Sequence, residues 1–278
     1  MTPRQAMHAS GPNAEAPARS VSSWLGAPFE VARPAIVGHR GYAARAPENT
    51  LTSLRVAIAC GVRFVEIDVH GTRDSVPVVL HDATLDRTTT GMGPVGDWLS
   101  WELRREVAID RRRGHAVPTL AEALETVRGK ARLAIEVKAP EITEGVLWGV
   151  AAAAMEREVT IWSFYADTLR IVQALSPALP HAFLHRNRRD NPDCWSAREF
   201  LDRAARLGVP AVSFFPQDLD ADLDLIDAAH EMGIEVYTGT VNDGDRALRL
   251  AGLGIDALVT DEPVELRAAL AARLHPVA

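Results

Sequence analysis

The chain has 278 residues, of which 47% are hydrophobic and 24% are charged, so it has the composition of an ordinary globular protein. This balance supplies enough apolar residues for a sizeable core and argues against global disorder. The net charge of −7 disfavours nucleic acid and anionic membranes as partners, because both require a basic surface. A single phosphate group remains a possible ligand, since a local cluster of positive charge can oppose the overall sign.

Residues 1–30 are rich in Ala, Pro, Ser and Gly and contain no continuous apolar stretch of signal-peptide length. We expect them to form a loose tail before a single domain over 31–278. The longest apolar stretch, 145–155, is too short to cross a bilayer. These features predict a cytoplasmic protein with no stable membrane insertion.

Two cysteines are present, Cys60 and Cys194, too few for a disulfide framework. Cys60 falls in an alanine-rich helical pattern that suits a small buried thiol. We predict no functional role for either cysteine.

From residue 34 onward, short runs rich in β-branched residues alternate with longer runs of helical periodicity, which is typical of βαβ units around a parallel sheet. The predicted strands cover 35–39, 62–70, 133–137, 159–163, 181–184, 211–214, 235–240 and 257–260. The predicted helices cover 50–60, 120–127, 142–155, 167–175, 197–207, 219–232, 244–253 and 263–272. Eight of each predict an α/β fold of the TIM (β/α)₈ barrel type. An open doubly wound sheet is the alternative, although the turn after the first strand does not read GxGxxG.

One connection is much longer than a usual βα loop. We predict a small insertion at about 83–117, after the second strand. Its Met92, Trp98 and Trp101 are suited to covering a site, as binding loops of this length do. The alternative is a packed surface excursion without a binding role.

Acidic residues occupy alternate positions in the second and third predicted strands of the barrel. Glu66 and Asp68 share one face of their strand, and Glu136 and Lys138 share a face of the next. Buried carboxylates require a compensating positive charge. Either a hard divalent cation, Mg²⁺ or Ca²⁺, binds the three acids, or Lys138 and Arg40 form ion pairs with them.

Two histidines, His39 and His81, follow the first strand and the apolar run 76–80. Both are placed to reach the carboxyl-terminal mouth, where barrel enzymes keep their sites. Two imidazoles beside three acids suit paired acid–base chemistry, in which one removes a proton and the other donates one. We expect the other seven histidines to be structural.

The sequence strongly resembles the glycerophosphodiester phosphodiesterases over about residues 36–263. The resemblance rests on motifs in a fixed order: His39-Arg40-Gly41, Pro47-Glu48-Asn49-Thr50, Glu66-x-Asp68, Thr72-Arg73-Asp74, His81-Asp82, Arg87-Thr88-Thr89, Pro118-Thr119-Leu120, Glu136-x-Lys138, Ser163-Phe164, Thr240-Val241-Asn242 and Thr260-Asp261-x-Pro263. Each motif alone is weak evidence, but their order and spacing together disfavour chance.

The resemblance implies a TIM barrel with an insertion after the second strand that hydrolyses glycerophosphodiesters to glycerol 3-phosphate and an alcohol. It implies that Glu66, Asp68 and Glu136 hold one divalent cation. His39 and His81 would be the acid–base pair, and Arg40 and Lys138 would contact the phosphate. Glu48 and Asn49 belong to the motifs, but their position also suits capping at the start of a helix.

One departure from the family pattern concerns the expected pocket. Relatives often have Trp where this chain has Gly239, which removes an aromatic wall and leaves a wider pocket. Phe215 or a tryptophan of the insertion is placed to compensate.

The expected partner is a small-molecule glycerophosphodiester. A rival function is the cleavage of lysophospholipids or sphingomyelin, as in lysophospholipase D or sphingomyelinase D relatives. That function requires an apolar entry, which the insertion residues Trp98, Leu99, Trp101 and Leu103 are able to supply. A third possibility is a non-catalytic phosphodiester-binding protein on the same fold.

Overall fold

A closed parallel barrel forms the body of the protein. The computed structural model describes residues 24–25, 34–109, 115–186 and 195–274. The strands in these ranges are β1 Ala35–Gly38, β2 Phe64–Gly71, β3 Pro77–Val79, β4 Ala108–Ile109, β5 His115–Ala116, β6 Arg132–Val137, β7 Val159–Ser163, β8 His181–Leu184, β9 Ala211–Phe214, β10 Glu235–Thr238 and β11 Ala257–Thr260. Strands β1, β2 and β6 to β11 pair in parallel, and β11 pairs back onto β1. The predicted TIM barrel is confirmed.

Helices follow the strands on the outside of the barrel. They are α1 Leu51–Ala59, α2 Ser100–Glu106, α3 Leu120–Val127, α4 Thr143–Ala152, α5 Ala166–Leu175, α6 Ala197–Leu207, α7 Pro216–Ala221, α8 Leu225–Glu231, α9 Gly244–Gly252 and α10 Pro263–Leu274. Outward-facing strand residues pack under these helices in two large apolar clusters. No helix among the described residues is both long and apolar enough to cross a membrane.

Local sequence explains where several helices begin and end. The Thr119 and Ser196 side chains cap α3 and α6, and the carboxylate of a glutamate three residues later accepts from the backbone N–H of each cap residue. The predicted single helix over 219–232 is wrong, because α7 and α8 are separate. Pro216 begins α7, and the extended backbone at Asp222 ends it.

The prediction of a buried Cys60 is also wrong. Cys60 lies directly after the last turn of α1 and is exposed. Cys194 lies outside the described residues.

The long connection after β2 packs around apolar residues of its own. Strand β3 pairs antiparallel with β2, and β4 and β5 form a short hairpin beyond α2. Their shared cluster contains Val78, Leu80, Leu85, Val95, Leu103, Val107, Ile109 and Val117. Met92 and Trp101 face solvent, with 75% and 54% of their surface exposed. The buried apolar residues of this connection therefore pack mainly against one another.

The interior of the barrel contains an aromatic side chain that no strand provides. Trp24 is 2% exposed, and its ring centroid lies 5.0 Å from that of Phe64 and 5.9 Å from that of Trp162. Barrel interiors are usually filled by bulky branched residues of the strands. Here the cluster around Trp24 includes small strand residues, which are Ala35, Ala134, Ala182, Ala211 and Ala257.

The alanines leave the room that the indole of Trp24 occupies. The expectation of a loose tail is therefore wrong at Trp24 and Leu25, both of which are buried. Residues 1–23 and 26–33 lie outside the described part of the chain.

Replacing Trp24 tests this packing. We expect Trp24→Ala to lower the free energy of unfolding by about 3–5 kcal/mol, the usual cost of truncating a buried large aromatic residue. Trp148→Ala is the matched control, because Trp148 is 76% exposed and exposed positions change stability by only about 0.5 kcal/mol. Urea denaturation measures both, and equal small losses in the two variants would contradict the packing role.

Candidate active site

The carboxyl-terminal mouth of the barrel opens into a cavity of about 360 Å³. Loops and strand ends from around the barrel contribute its lining: His39, Arg40, Glu66, His81, Glu136, Lys138, Trp162, Phe164, Leu184, His185, Ser213, Phe214, Phe215, Pro216, Gln217, Gly239, Thr240 and Val259. Parallel strands direct their carboxyl ends to one side of the barrel. For this reason residues far apart in the sequence meet here.

Three acids lie together beneath this cavity. Asp68 on β2 is directly beside Glu136 on β6 in the strand register, and Glu66 precedes Asp68 by two residues on the same face. Each offers a carboxylate oxygen, and these oxygens lie within 4.8 Å of one another. Glu66 and Asp68 are only 2% and 1% exposed.

The structure shows the ion pairs that the sequence allowed for these acids. Lys138 Nζ lies 2.7 Å from Glu136 Oε1 and 3.3 Å from Asp68 Oδ1. Arg40 Nε lies 3.3 Å from the other Asp68 oxygen. The ion pairs do not reach Glu66 Oε1, which is buried without a hydrogen-bond partner among the described residues. This orphaned oxygen, next to two further carboxylates, fits a bound cation.

The pKa values of the three acids shift in different directions. Burial and repulsion from Asp68 raise the pKa of Glu66 to about 8, and the same two causes raise the pKa of Glu136. Burial opposes ionisation of Asp68 too, but Lys138 and Arg40 outweigh it and hold the pKa of Asp68 below its usual value. Glu66 and Glu136 therefore receive less compensation from positive charge in the protein than Asp68 does.

The turn after β1 brings the Arg40 backbone to this cluster. Arg40 has a φ of 52°, and its backbone N–H donates to Glu66 Oε2 at 2.9 Å. Gly41 follows with a φ of 91°, and a Cβ there would lie 2.0 Å from Ser53 Oγ. The His-Arg-Gly motif is thus a tight turn in which only glycine fits at the third position.

His39 is held by an acid that follows β11, the strand that pairs with β1. Its Nδ1 lies 2.8 Å from Asp261 Oδ1, and Asn242 donates to the second Asp261 oxygen at 2.9 Å. Burial alone would lower the pKa of His39, but the Asp261 hydrogen bond and the nearby Glu66 raise it overall. Asp261 and Asn242 carried no predicted role, although both stand in the motifs of the resemblance.

His81 sits in a different electrostatic environment. Its Nδ1 lies 2.6 Å from Asp82 Oδ1, and His70 Nε2 donates to the His81 backbone oxygen at 3.1 Å. Burial, with help from the Lys138 ammonium, lowers the pKa of His81. The site therefore contains two histidines whose pKa values move in opposite directions.

Glu48 and Asn49 lie at the site and do not cap a helix. The helix-start interpretation is wrong because Thr50 is the N-cap of α1. Glu48 Oε1 accepts from Arg40 Nη1 at 2.7 Å. Asn49 donates to Asp68 Oδ2 at 2.8 Å and accepts from the Asp68 backbone N–H at 3.2 Å.

Phe215 and Gly239 line the cavity, but the expected effect of Gly239 on the pocket wall requires correction. A Cβ at this position would lie 2.5 Å from the Val259 Cβ, so the backbone here has no room for any side chain. Glycine at 239 reflects this close approach to β11. The aromatic surfaces of the cavity come from Trp162, Phe164 and other strand-end residues.

The described residues of the insertion do not line this cavity. Among the described residues that line it, none falls between 82 and 135. Leu103 is buried inside the insertion, and Trp98 packs against the same cluster. Trp98 Nε1 also donates to the Met92 backbone oxygen at 3.3 Å.

His185 is a lining residue that the sequence did not single out. It follows β8, its Nδ1 lies 2.8 Å from Asp218 Oδ2, and its Nε2 lies 3.0 Å from the Trp195 backbone oxygen. Its only signal in the sequence was its place at the end of a barrel strand.

Comparison with known proteins identifies the family. The sequence model of the glycerophosphoryl diester phosphodiesterase family matches residues 39–265. The chain belongs to this family. It is therefore an enzyme of the phosphoric diester hydrolase class. A glycerophosphodiester phosphodiesterase of Caldanaerobacter subterraneus is 30% identical over 241 residues, which cover 83% of this chain and 95% of the relative.

Solved structures of family members share the fold. A phosphodiesterase from Oleispira antarctica, in complex with the product sn-glycerol-3-phosphate, is 27% identical with a TM-score of 0.74, over 85% of this chain and 96% of that one. A glycerophosphodiester phosphodiesterase from Agrobacterium tumefaciens is 29% identical with a TM-score of 0.70, over 83% and 98% of the two chains.

The crowding of acids predicts that Glu66 destabilises the metal-free fold. Its pKa is raised from 4.5 to about 8, so stability falls as pH rises through this window and the full penalty persists above it. In chelator at about pH 8.5, we expect Glu66→Gln to raise the melting temperature by at least about 2–4 °C, the shift for 1 kcal/mol. The gain should shrink towards pH 5.

Thermal unfolding at both pH values measures this effect. Glu156→Gln is the control, because Glu156 is exposed and its removal leaves the three buried acids in place. If Glu66→Gln melts no higher than wild type in chelator at the higher pH, ionised Glu66 does not destabilise the metal-free fold.

Proposed function

We propose that this cavity binds glycerophosphodiesters and hydrolyses them to glycerol 3-phosphate and an alcohol with the aid of one divalent cation. The observation that carries the proposal is a cluster of three acids, two of which line the cavity, beside two histidines and two cationic side chains that also line it. The product bound to the Oleispira relative supports the same substrate class.

Glu66, Asp68 and Glu136 are the proposed ligands of the cation. Carboxylate oxygens are the donors that Mg²⁺ and Ca²⁺ prefer, and the orphaned Glu66 Oε1 supports this assignment. When bound, such a cation supplies charge neutralisation at the phosphoryl oxygens.

Arg40 and Lys138 are the proposed contacts to the phosphate. Both side chains are mostly buried at the edge of the acid cluster, each 15% exposed. Each is already paired with Asp68, which fixes it beside the cavity that both line. Fixed cations stabilise negative charge that develops on phosphoryl oxygens without reorganising during the reaction.

His39 and His81 are the proposed acid and base. Asp261 and Asp82 accept the Nδ1–H of His39 and His81 respectively, which leaves each Nε2 for proton transfer. Because its pKa is lowered, neutral His81 is suited to remove a proton from the attacking water as the water oxygen bonds to phosphorus. Because its pKa is raised, His39 is suited to protonate the leaving oxygen as the P–O bond breaks.

The size of the cavity supports a compact, water-soluble substrate. Its volume of about 360 Å³ is near the lower end for small-molecule sites, roughly 300–1,000 Å³. A glycerophosphodiester head group fits this size better than a molecule with a long acyl chain.

Substitution of the two histidines tests their roles. We expect His39→Ala and His81→Ala each to lower kcat by about 10²–10⁴-fold, the usual share of acid–base catalysis. His230→Gln, which changes a histidine on α8 outside the cavity lining, should leave kcat within about threefold of wild type. Steady-state kinetics on glycerophosphocholine and glycerophosphoinositol provide the measurement.

A substrate with a nitrophenol leaving group separates acid from base. Nitrophenolate departs without protonation, so it should restore most of the turnover of His39→Ala and little of that of His81→Ala. Equal recovery in both variants would refute the division of roles.

Removal of divalent cations tests the metal assignment. We expect excess chelator to abolish turnover and Mg²⁺ or Ca²⁺ to restore it. Titration calorimetry should find one cation site in wild type and at least about tenfold weaker binding in Glu136→Gln. Full activity in excess chelator would exclude a metal-dependent reaction.

A further inference from the structure

The insertion sends one charged side chain back towards the site. Arg87 Nε and Nη2 donate to the two oxygens of Asp82 at 2.6 and 3.1 Å. Its Nη1 and Nη2 also donate to the two oxygens of Glu48, at 3.1 and 2.7 Å. One guanidinium thus holds two carboxylates from different parts of the chain.

Each of these carboxylates contacts a residue of the cavity. Asp82 Oδ1 lies 2.6 Å from His81 Nδ1, and Glu48 Oε1 accepts from Arg40 Nη1 at 2.7 Å. The result is a continuous chain of hydrogen bonds from His81 through Asp82, Arg87 and Glu48 to Arg40. The proposed base and a proposed phosphate contact are therefore tied to the same guanidinium.

Two-point contact makes Arg87 suited to orient these groups. A carboxylate that accepts two bonds from a planar guanidinium cannot rotate without losing one of them. The fixed Asp82 plane in turn sets the direction of the His81 ring and keeps the proton on its Nδ1. Lysine, with one compact ammonium group, cannot reproduce both contacts.

A contribution to folding does not by itself account for this arrangement. The Arg87 side chain is 47% exposed, so solvent screens its pairs and they add only a modest amount to stability, even though their bidentate geometry favours them. The insertion also has an apolar cluster of its own that holds it together. The further effect of Arg87 is to orient His81 and Arg40.

We propose that Arg87 is a positioning residue for the reaction, and that the insertion serves the site by holding Arg87 against Asp82 and Glu48. This inference rests on the proposed function. Loss of Arg87 misplaces His81, which lowers kcat, and releases Arg40, which raises KM.

Kinetics of Arg87→Met and Arg87→Lys test the proposal. We expect Arg87→Met to lower kcat by about 10–100-fold, because small misplacements of catalytic groups have effects up to this size. Arg87→Lys should lie between Arg87→Met and wild type. The melting temperatures of both variants should stay within about 3 °C of wild type, the change expected for a pair worth at most about 1 kcal/mol.

Arg104→Met is the matched control. Arg104 also belongs to the insertion, is 61% exposed and pairs with Glu122 of the barrel body at 2.6 Å, but neither residue lines the cavity. Its kcat and KM should remain within about threefold of wild type. An equal loss in Arg104→Met and Arg87→Met would overturn the proposal, because any weakening of the insertion would then suffice.

Further variants separate the two branches of this hydrogen-bond network, one from Arg87 through Asp82 to His81 and the other from Arg87 through Glu48 to Arg40. Asp82→Asn should lower mainly kcat, and Glu48→Gln should raise mainly KM. Because Arg87 acts on His81 through Asp82, Arg87→Met combined with Asp82→Asn should lose little more kcat than the more damaging single change. If the kcat loss of the double variant equalled the product of the two single losses, Arg87 would not act on His81 through Asp82.

A measurement without substrate distinguishes this inference from the proposed function. In ¹⁵N spectra, with the signal assigned through His81→Gln, neutral His81 should carry its proton on Nδ1 in wild type and in Arg104→Met. Mixed tautomers are expected in Arg87→Met, and an unchanged Nδ1–H tautomer there would overturn the inference. Absence of hydrolysis by wild type would instead refute the proposed function.

Discussion

Repulsion among three buried carboxylates is the constraint on which the rest of the site depends. One oxygen of each lies within 4.8 Å of the others, and Glu66 and Asp68 are almost fully buried, so water screens their repulsion poorly. Arg40, Lys138 and the amide of Asn49 all contact Asp68, so one acid is well compensated. Glu136 pairs with Lys138 alone, and Glu66 Oε1 has no hydrogen-bond partner among the described residues. The raised pKa values of both acids express this smaller compensation. A fold that retains such a deficit is prepared for a cation, as functional sites often are.

Around this centre, each histidine has an aspartate partner of its own. Asp261 directly follows β11, and Asp82 directly precedes the insertion. These different surroundings give two chemically identical side chains opposite pKa shifts, the pattern expected of an acid and a base. The barrel allows this because every strand delivers a residue to the same mouth.

Sequence periodicity was sufficient for the barrel, because apolar strands covered on both faces and amphipathic helices leave strong local signals. It failed where the cause was not local. The break between α7 and α8 depends on the backbone at Asp222. The packing of Trp24 depends on alanines from five strands, which no periodicity of its own segment reveals.

The sequence by itself determined the fold class. It also singled out Glu66, Asp68 and Glu136, since alternation along a strand places i and i+2 on one face, and it singled out two histidines by their place at the barrel mouth. Motif resemblance added the family. Only the tertiary structure decided that Asp261 and Asp82 hold the histidines and that Glu48 pairs with Arg40. The physical reason is that these contacts join segments far apart in the chain, and their distances are set by barrel closure. A local pattern thus predicted the three acids, whereas closure of the barrel decides which residues contact the site.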